Sequence, residues 1–285
     1  MSFVERVLSF TFSGAQSGSF SAAGLRAAVN IQRYPGRAGT TAQIKIWGLT
    51  LDQMNAYSSV IPALVAAEQF NLVVEAGDLG QPLTQVLNGP ILRSCIDLSG
   101  SPDSAFIVTM INTFMAASPL PPQSQPGAQN AEDLIQQLCP LAPIPGGLKF
   151  DNSAGAHAVL NNQATSGSVI DQIQRIATAA KFNWKIAGTT LSIWPKNGEV
   201  DDVVIDVGPG TDPKMVGYPG YWEAGIVVTS LFNEEVQIGR KMNVVGSSIP
   251  KANGLWQIIQ AQDDLTTMLA KGPWFTTAIL AAINP

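Results

Sequence analysis

Charge is what this sequence has little of. Asp, Glu, Lys and Arg make up 13% of its 285 residues, against roughly 25% in an ordinary soluble domain. Too little of the surface is dressed for water. Histidine is scarcer still: with His157 alone, neither a two-histidine metal site nor a Cys-His dyad with an orienting third group is easy to assemble. The two cysteines, Cys95 and Cys139, are expected as reduced thiols packed like small hydrophobes. Sixteen basic residues stand against 21 acidic ones, for a net charge of −5, and no Lys/Arg cluster offers a grip on phosphates. No apolar run approaches the ~20 residues that cross a bilayer. The opening "MSFVERVLSF" puts Glu5 and Arg6 where a signal peptide needs apolar residues, so the chain is expected to be made in the cytosol and to stay soluble. A soluble chain this poor in charge fits a subunit that hides much of its surface against neighbouring chains.

What is present is mostly β-patterned. Leu8, Phe10 and Phe12 alternate with Ser9 and Thr11, and Leu25, Ala27, Val29 and Ile31 alternate with polar partners, which is the period of strands with one buried face. "RYPGRAGT" reads as a turn into the strand "AQIKIWGL". Residues 51–68 carry apolar groups at helical spacing, with Pro62 expected to kink or divide the helix. Strands return at "FNLVVEA", "LTQVLNGPILRSCIDL" and "SAFIVTMINTF", the last apolar on both faces and so expected between layers. Residues 116–130, with four prolines, are expected as a linker or long surface loop. Asn130 can cap a short helix through Asp133, ending before Pro140. Ser168 with Asp171 forms a capping pair for a second helix, striped by Val169, Ile173, Ile176 and Ala180. That helix leads into a hairpin, where Trp184 and Ile186 face Leu191 and Ile193 across Gly188. "VVTSLFNEEVQIGRKMNVVG", residues 227–246, reads as another hairpin, two short strands joined by a polar turn. It shares a loose plan with residues 24–48: Gly, strand, a turn carrying Gly-Arg, strand. The fold class expected is mainly β with minor α. The boundaries are an N-terminal β domain at 1–115, the linker at 116–130, a small α+β module at 131–200 and a C-terminal β domain at 201–285.

Catalytic patterns are thin. No GxSxG elbow occurs, and "GPGTDPK" lacks the spacing of a phosphate loop. "SIPK", Ser248 to Lys251, matches Ser-x-x-Lys, but Pro250 discourages the helix that would place both groups on one face. The carboxylate pairs Glu132/Asp133, Asp201/Asp202, Glu234/Glu235 and Asp263/Asp264 are sequence neighbours, which point to opposite faces of a strand or ~100° apart on a helix. None is a ready acid and nucleophile. No catalytic, cofactor-binding or metal-binding residue is therefore assigned, and no cofactor is expected. Trp184 and Trp194 flank one hairpin and could stack on sugar rings, although core packing is the simpler use of them.

The stretch from Met215 to Ala281 resembles the C-terminal part of baseplate hub proteins of contractile-tailed bacteriophages. The likeness is carried by a Gly-x-Pro turn at Gly217–Pro219, a strand ending at Ser230–Asn233, and Gly239 opening the next strand. Asn253-Gly254, Asp264-Leu265 and the Trp274-led last strand complete the ordered set. "GLRAAVNIQRYPGRAGTTAQIKIWGLTLDQMNAY" is similar to that family's first barrel. Some hubs carry a fused lysozyme or peptidoglycan-binding module, for which this chain leaves no room, so the resemblance implies no catalytic residue. It implies two tube-like β-barrel or sandwich domains per chain, a homotrimer presenting six similar domains, and a place in the virion tail baseplate. Its implied partners are the tail tube and spike proteins, the tape-measure protein and other baseplate subunits, with DNA met only in passage. The rival readings are a tail-associated peptidoglycan hydrolase and a glycan-binding β module.

Overall fold

A computed structural model describes residues 5–14, 17–59, 70–113, 119–142, 144, 147–223 and 225–283. The chain is mainly β. It divides into two compact units, one formed by Met1–Gln32, Thr41–Asn112 and Gln262–Phe275, the other by Arg33–Thr40, Thr113–Ala261 and Thr276–Pro285.

The first unit is built from β1 (Arg6–Gly14), β2 (Gly18–Ala23), β3 (Ala27–Arg33), β4 (Thr40–Trp47), α1 (Leu51–Ala56), β5 (Phe70–Asp78), β6 (Thr84–Asp97) and β7 (Ala105–Ile111). Its strands are ordered β3-β4-β7-β6-β5-β1-β2. Period-two alternation decides which face is buried. Leu8, Phe10 and Phe12 of β1, Val29 and Ile31 of β3, Ile44 and Ile46 of β4, and Val108 and Met110 of β7 all point inward and are essentially inaccessible. Rings close one end of this core, with Phe12 against Phe20, Tyr57 and Phe106. Thr50 and Gln53 form a capping box that starts α1. The helix expected over 51–68 is seen as Leu51–Ala56; residues 60–69 lie outside the described residues. Outside the core, Ile107 and Thr109 of β7 line an open depression of about 530 Å³ with Asn30, Gln43, Lys45 and Asp264. The outer face of β7, expected between layers, is thus open within this unit.

The second unit contains two cores. One is formed by α2 (Ala131–Leu138), α3 (Val169–Ala180) and the hairpin of β11 (Phe182–Ala187) and β12 (Thr190–Pro195), which bury Leu134, Ile135, Ile173, Ile176, Trp184, Ile186, Leu191 and Ile193. The capping pair acts as expected: the Ser168 hydroxyl accepts from the Asp171 N–H, and Asp171 accepts from Ser168 in return. Trp184 lies opposite Ile193 and Ile186 opposite Leu191. Asn130 stands at the start of α2, but its side-chain amide donates to Asp133 and accepts no helix N–H. β9 (Lys149–Asp151) adds a parallel strand beside β12.

Two expectations are corrected here. From Pro119 the proline-rich stretch is a strand, β8 (Pro119–Asn130), paired antiparallel with β10 (Val159–Ser168). Prolines are tolerated because β8 pairs on one side alone, so half its N–H positions need no partner strand, and two register shifts absorb the irregularity. Residues 120–130 are largely exposed, with the partly buried Leu120 packed against the core of α2 and α3. The second correction concerns 227–246. Its strands exist, as β15 (Gly225–Leu231) and β16 (Lys241–Val244), but they are not partners. β13 (Val204–Val207), β14 (Gly220–Trp222), β17 (Gly254–Thr267) and β18 (Trp274–Ala282) complete the unit's sheet, in the order β14-β15-β18-β17, with β16 between β17 and a parallel β13. Two strands therefore separate β15 from β16. The second core lies under this sheet, around Ile205, Val228, Val236, Met242, Ile258 and Leu280.

Candidate assembly surface

The reactive groups of the chain are occupied by structural work. His157 Nδ1 is bonded to the Glu132 carboxylate. Partial burial of Glu132 would raise its pKa, but hydrogen bonds from backbone N–H groups and from His157 outweigh that and hold it below the ordinary value. Asp133 is taken by Asn130, Asp201 by Arg240, and the Asn233 side chain caps the N–H of Glu235. Asp263 is buried, whereas Asp264 faces outward to accept from Asn30 and Gln262, so this pair is split between two faces of β17. Ser248 is exposed ahead of a single 3₁₀ turn, Pro250–Ala252, and no α-helical turn sets it over Lys251. Cys95 and Cys139 are free thiols; burial pushes Cys139 up to about 11, leaving it unreactive. Among the described residues no group of three or more His, Cys, Asp or Glu could hold a metal ion.

Trp184 and Trp194 are each 2% exposed, so neither ring can stack on a sugar without opening a core. The glycan reading loses the residues it was built on.

Among the described residues, two sheet edges stand out for their lack of charge. In the second unit, Lys214–Trp222 runs antiparallel to β15: Met215 bridges Ser230, and Gly220 and Trp222 lie opposite Val227 and Gly225. Gly217, at φ +76°, and Pro219 push the chain outward between these contacts. Tyr218 is 75% exposed, Tyr221 71% and Trp222 41%, with the half-open Val216 and Leu231 beside them. No charge interrupts residues 215–222. β14 ends its sheet, so the backbone groups on its far side have no strand partner among the described residues. In the first unit β2 also ends its sheet and, among the described residues, pairs with β1 alone. Residues 7–25 hold no charged side chain, and β2 shows small groups outward, Gly18, Ser19, Ser21 and Ala23. Natural sheets blunt an exposed edge with charge, proline or a bulge. β2 has none of these, and β14 has them only at its borders, with Pro219 before it and Glu223 after it.

Sequence reading did not single out either edge. The signal available was the pairing of aromatic density with missing charge over 215–222, and of small residues with missing charge over 13–25.

No curated protein matches the chain in sequence. Solved structures similar in fold include phage-tail and secretion proteins. A tail protein from Neisseria meningitidis MC58 has a TM-score of 0.63 at 9% identity, with 96% of each chain covered. The 43 kDa tail protein of prophage MuSo2 from Shewanella oneidensis has a TM-score of 0.61 at 9% identity, covering 95% of this chain and 96% of the other. An Escherichia coli component of the type VI secretion system, described as similar to the T4 tail proteins gp27 and gp5, has a TM-score of 0.61 at 11% identity, over 90% of this chain and 73% of that one. At such identities the likeness speaks for fold alone. A family model described as "Baseplate hub gp41" matches residues 7–275, nearly the whole chain, and with it the scarcity of charge and the two β units find one explanation: the chain belongs to the baseplate hub gp41 family and is a structural protein of the phage tail.

Proposed function

We propose that this chain is the central hub of a contractile tail baseplate, a homotrimeric ring that joins the sixfold tail tube to the threefold spike. Three copies of a chain with two tube-like β domains offer six similar domains on the tube side and three whole subunits on the spike side. Contacts between identical copies that run head to tail close into a ring when the rotation is a simple fraction of a turn. The observation that carries the reading is the family match over residues 7–275 joined to uncharged, aromatic-bearing sheet edges in a chain with 13% charged residues. Surfaces of that kind are stable in water once they are covered. The net charge of −5 would let DNA pass a central channel by like-charge repulsion instead of adhering. Tube, spike and tape-measure proteins are the proposed partners.

Multi-angle light scattering on the purified protein, alone and with its tube protein, tests the proposal. A trimer or larger ring is expected. A monomer under every condition would sink it, and clearing of purified peptidoglycan would replace it with the hydrolase reading.

A further inference from the structure

We infer that the ring is sewn together by strand addition, with the outer edge of β2 of one copy taking up the Val216–Trp222 edge of the next. This deepens the ring reading above and rests on it. The two edges complement each other in size, since the broad rings of Tyr218, Tyr221 and Trp222 meet a strand whose outward residues are Gly18, Ser19, Ser21 and Ala23. Small side chains let aromatic faces lie close over backbone, and each edge offers the N–H and C=O groups that the other lacks.

Charge points the same way. Residues 7–25 and 215–222 are free of it, so the pairing costs no ion its hydration and meets no like-charge repulsion.

Symmetry then selects the arrangement. If β2 paired with β2 and the aromatic edge with itself, each copy would carry two different twofold interfaces, and the assembly would grow as an open string. One interface joining unlike edges satisfies both on every copy, and with a rotation of a third of a turn it closes as a trimer. The other pairings are outcomes of the test below.

Crosslinking decides between them. In a Cys95→Ser background, Ser19→Cys and Tyr221→Cys are made singly and together, and each protein is treated with a short bismaleimide. Unlike edges in contact give covalent dimers and trimers from the double variant and only monomer from either single one. Crosslinked dimers from a single variant would show like edges in contact and overturn the inference.

A second experiment does not depend on reagent reach. Ser21→Lys and Tyr221→Lys each put a charge on one exposed edge and spare the core, and circular dichroism checks that each remains folded. Each alone is expected to run as monomer. Mixed, they retain one intact interface, between β2 of the Tyr221→Lys copy and the aromatic edge of the Ser21→Lys copy, and a heterodimer is expected. Trimers that persist in both variants overturn the edge pairing and leave the ring reading standing; a wild-type protein that is monomeric at every concentration removes both.

Discussion

Residues 24–48 and 225–246 are written to one plan, Gly, strand, Gly-Arg, strand, and they fold in opposite ways. In the first, β3 and β4 are neighbours and the tip is a tight turn: the Tyr34 N–H donates to Gly39 and the Gly39 N–H to Gly36. Gly36 and Gly39 hold the positive φ that this turn requires, +69° and +62°. In the second, residues 232–240 make two hydrogen-bonded turns, Val236 N–H to Asn233 and Arg240 N–H to Gln237, without bringing β15 and β16 together. Val236 is buried in the β core of the second unit, and Ile238 joins Trp194 and Val200 in a small cluster of its own. The segment is a strap across the unit that delivers β16 to β17 and β13. Whether the connecting residues bury aliphatic side chains, and not how polar they look, separates a turn from a crossing.

The largest difference is expected at the two glycines. At Gly239, φ +88°, an added Cβ would meet Trp194 Cε2 and Cζ2 at 3.0 Å and Val200 Cβ at 3.1 Å, all in packed positions. Gly239→Ala therefore combines left-handed strain with displacement of a buried indole, about 3 kcal/mol in all. At Gly36 the nearest atom is Gln174 Oε1 at 3.1 Å, the end of a flexible side chain, and Gly36→Ala is expected to cost about 1 kcal/mol. Urea denaturation of both variants measures the gap. Equal losses would mean that the strap is no better packed than the turn.

The arginines that follow should differ less, in the same direction. Arg240 is 17% exposed, reaches both Asp201 oxygens through Nε at 3.0 and 2.8 Å, and donates from a terminal nitrogen to the Glu235 carbonyl. Arg240→Ala strands a carboxylate that is itself partly solvated, for about 2 kcal/mol, below the range of a fully buried pair. Arg37 is 70% exposed, and its bond to Asp171 at 2.8 Å is open to solvent. Arg37→Ala is expected to cost about 0.5 kcal/mol or less. Thermal melts that ranked Arg37 above Arg240 would reverse this reading of the two tips.

Local rules were enough wherever a structure is closed by near neighbours. The Ser168–Asp171 capping box and the β11–β12 hairpin are where the residues put them, because each depends on partners within about twenty positions; the alternation of Leu8, Phe10 and Phe12 also marks the buried face, although the partner strand β5 is distant in sequence. The parallel pairing of Val204–Val207 with Lys241–Val244 joins segments nearly forty residues apart, and no periodicity announces it. The prolines of 119–130 misled for another reason: they exclude a central strand, and β8 is an edge. For 232–240 the signal was present and read too lightly, since Val236 and Ile238 alternate with Glu235 and Gln237 in the manner of a strand. The assembly edges left a fainter trace, because a strand's missing partner is visible only once every other strand has been paired.

The smallest expected effect lies in how the strap is held. Lys185, on β11, points its ammonium at the crossing segment and donates to Gln237 Oε1 at 3.2 Å and to the Ile238 carbonyl at 3.0 Å. Burial pushes its pKa down to about 8; the positive charges of Arg240 and Arg33 add to this, while Asp201 and Asp151 oppose it. Because the folded value lies below the unfolded one of about 10.4, the cost of holding the charged amine is complete below pH ~8, where both states keep the proton. Between pH ~8 and ~10 the folded state releases the proton first, so its stability rises with pH. Lys185→Met, which keeps the length of the stem and removes the titration, should fall behind wild type by about 1–2 kcal/mol as pH goes from 7.5 to 9.5. Arg37→Ala provides the contrast from the other tip: Arg37 is not among the charges that act on Lys185, so this variant's offset from wild type should stay flat over that window. Parallel wild-type and Lys185→Met curves would mean that the ammonium is solvated, and that the strap is held by Val236 and Ile238 alone.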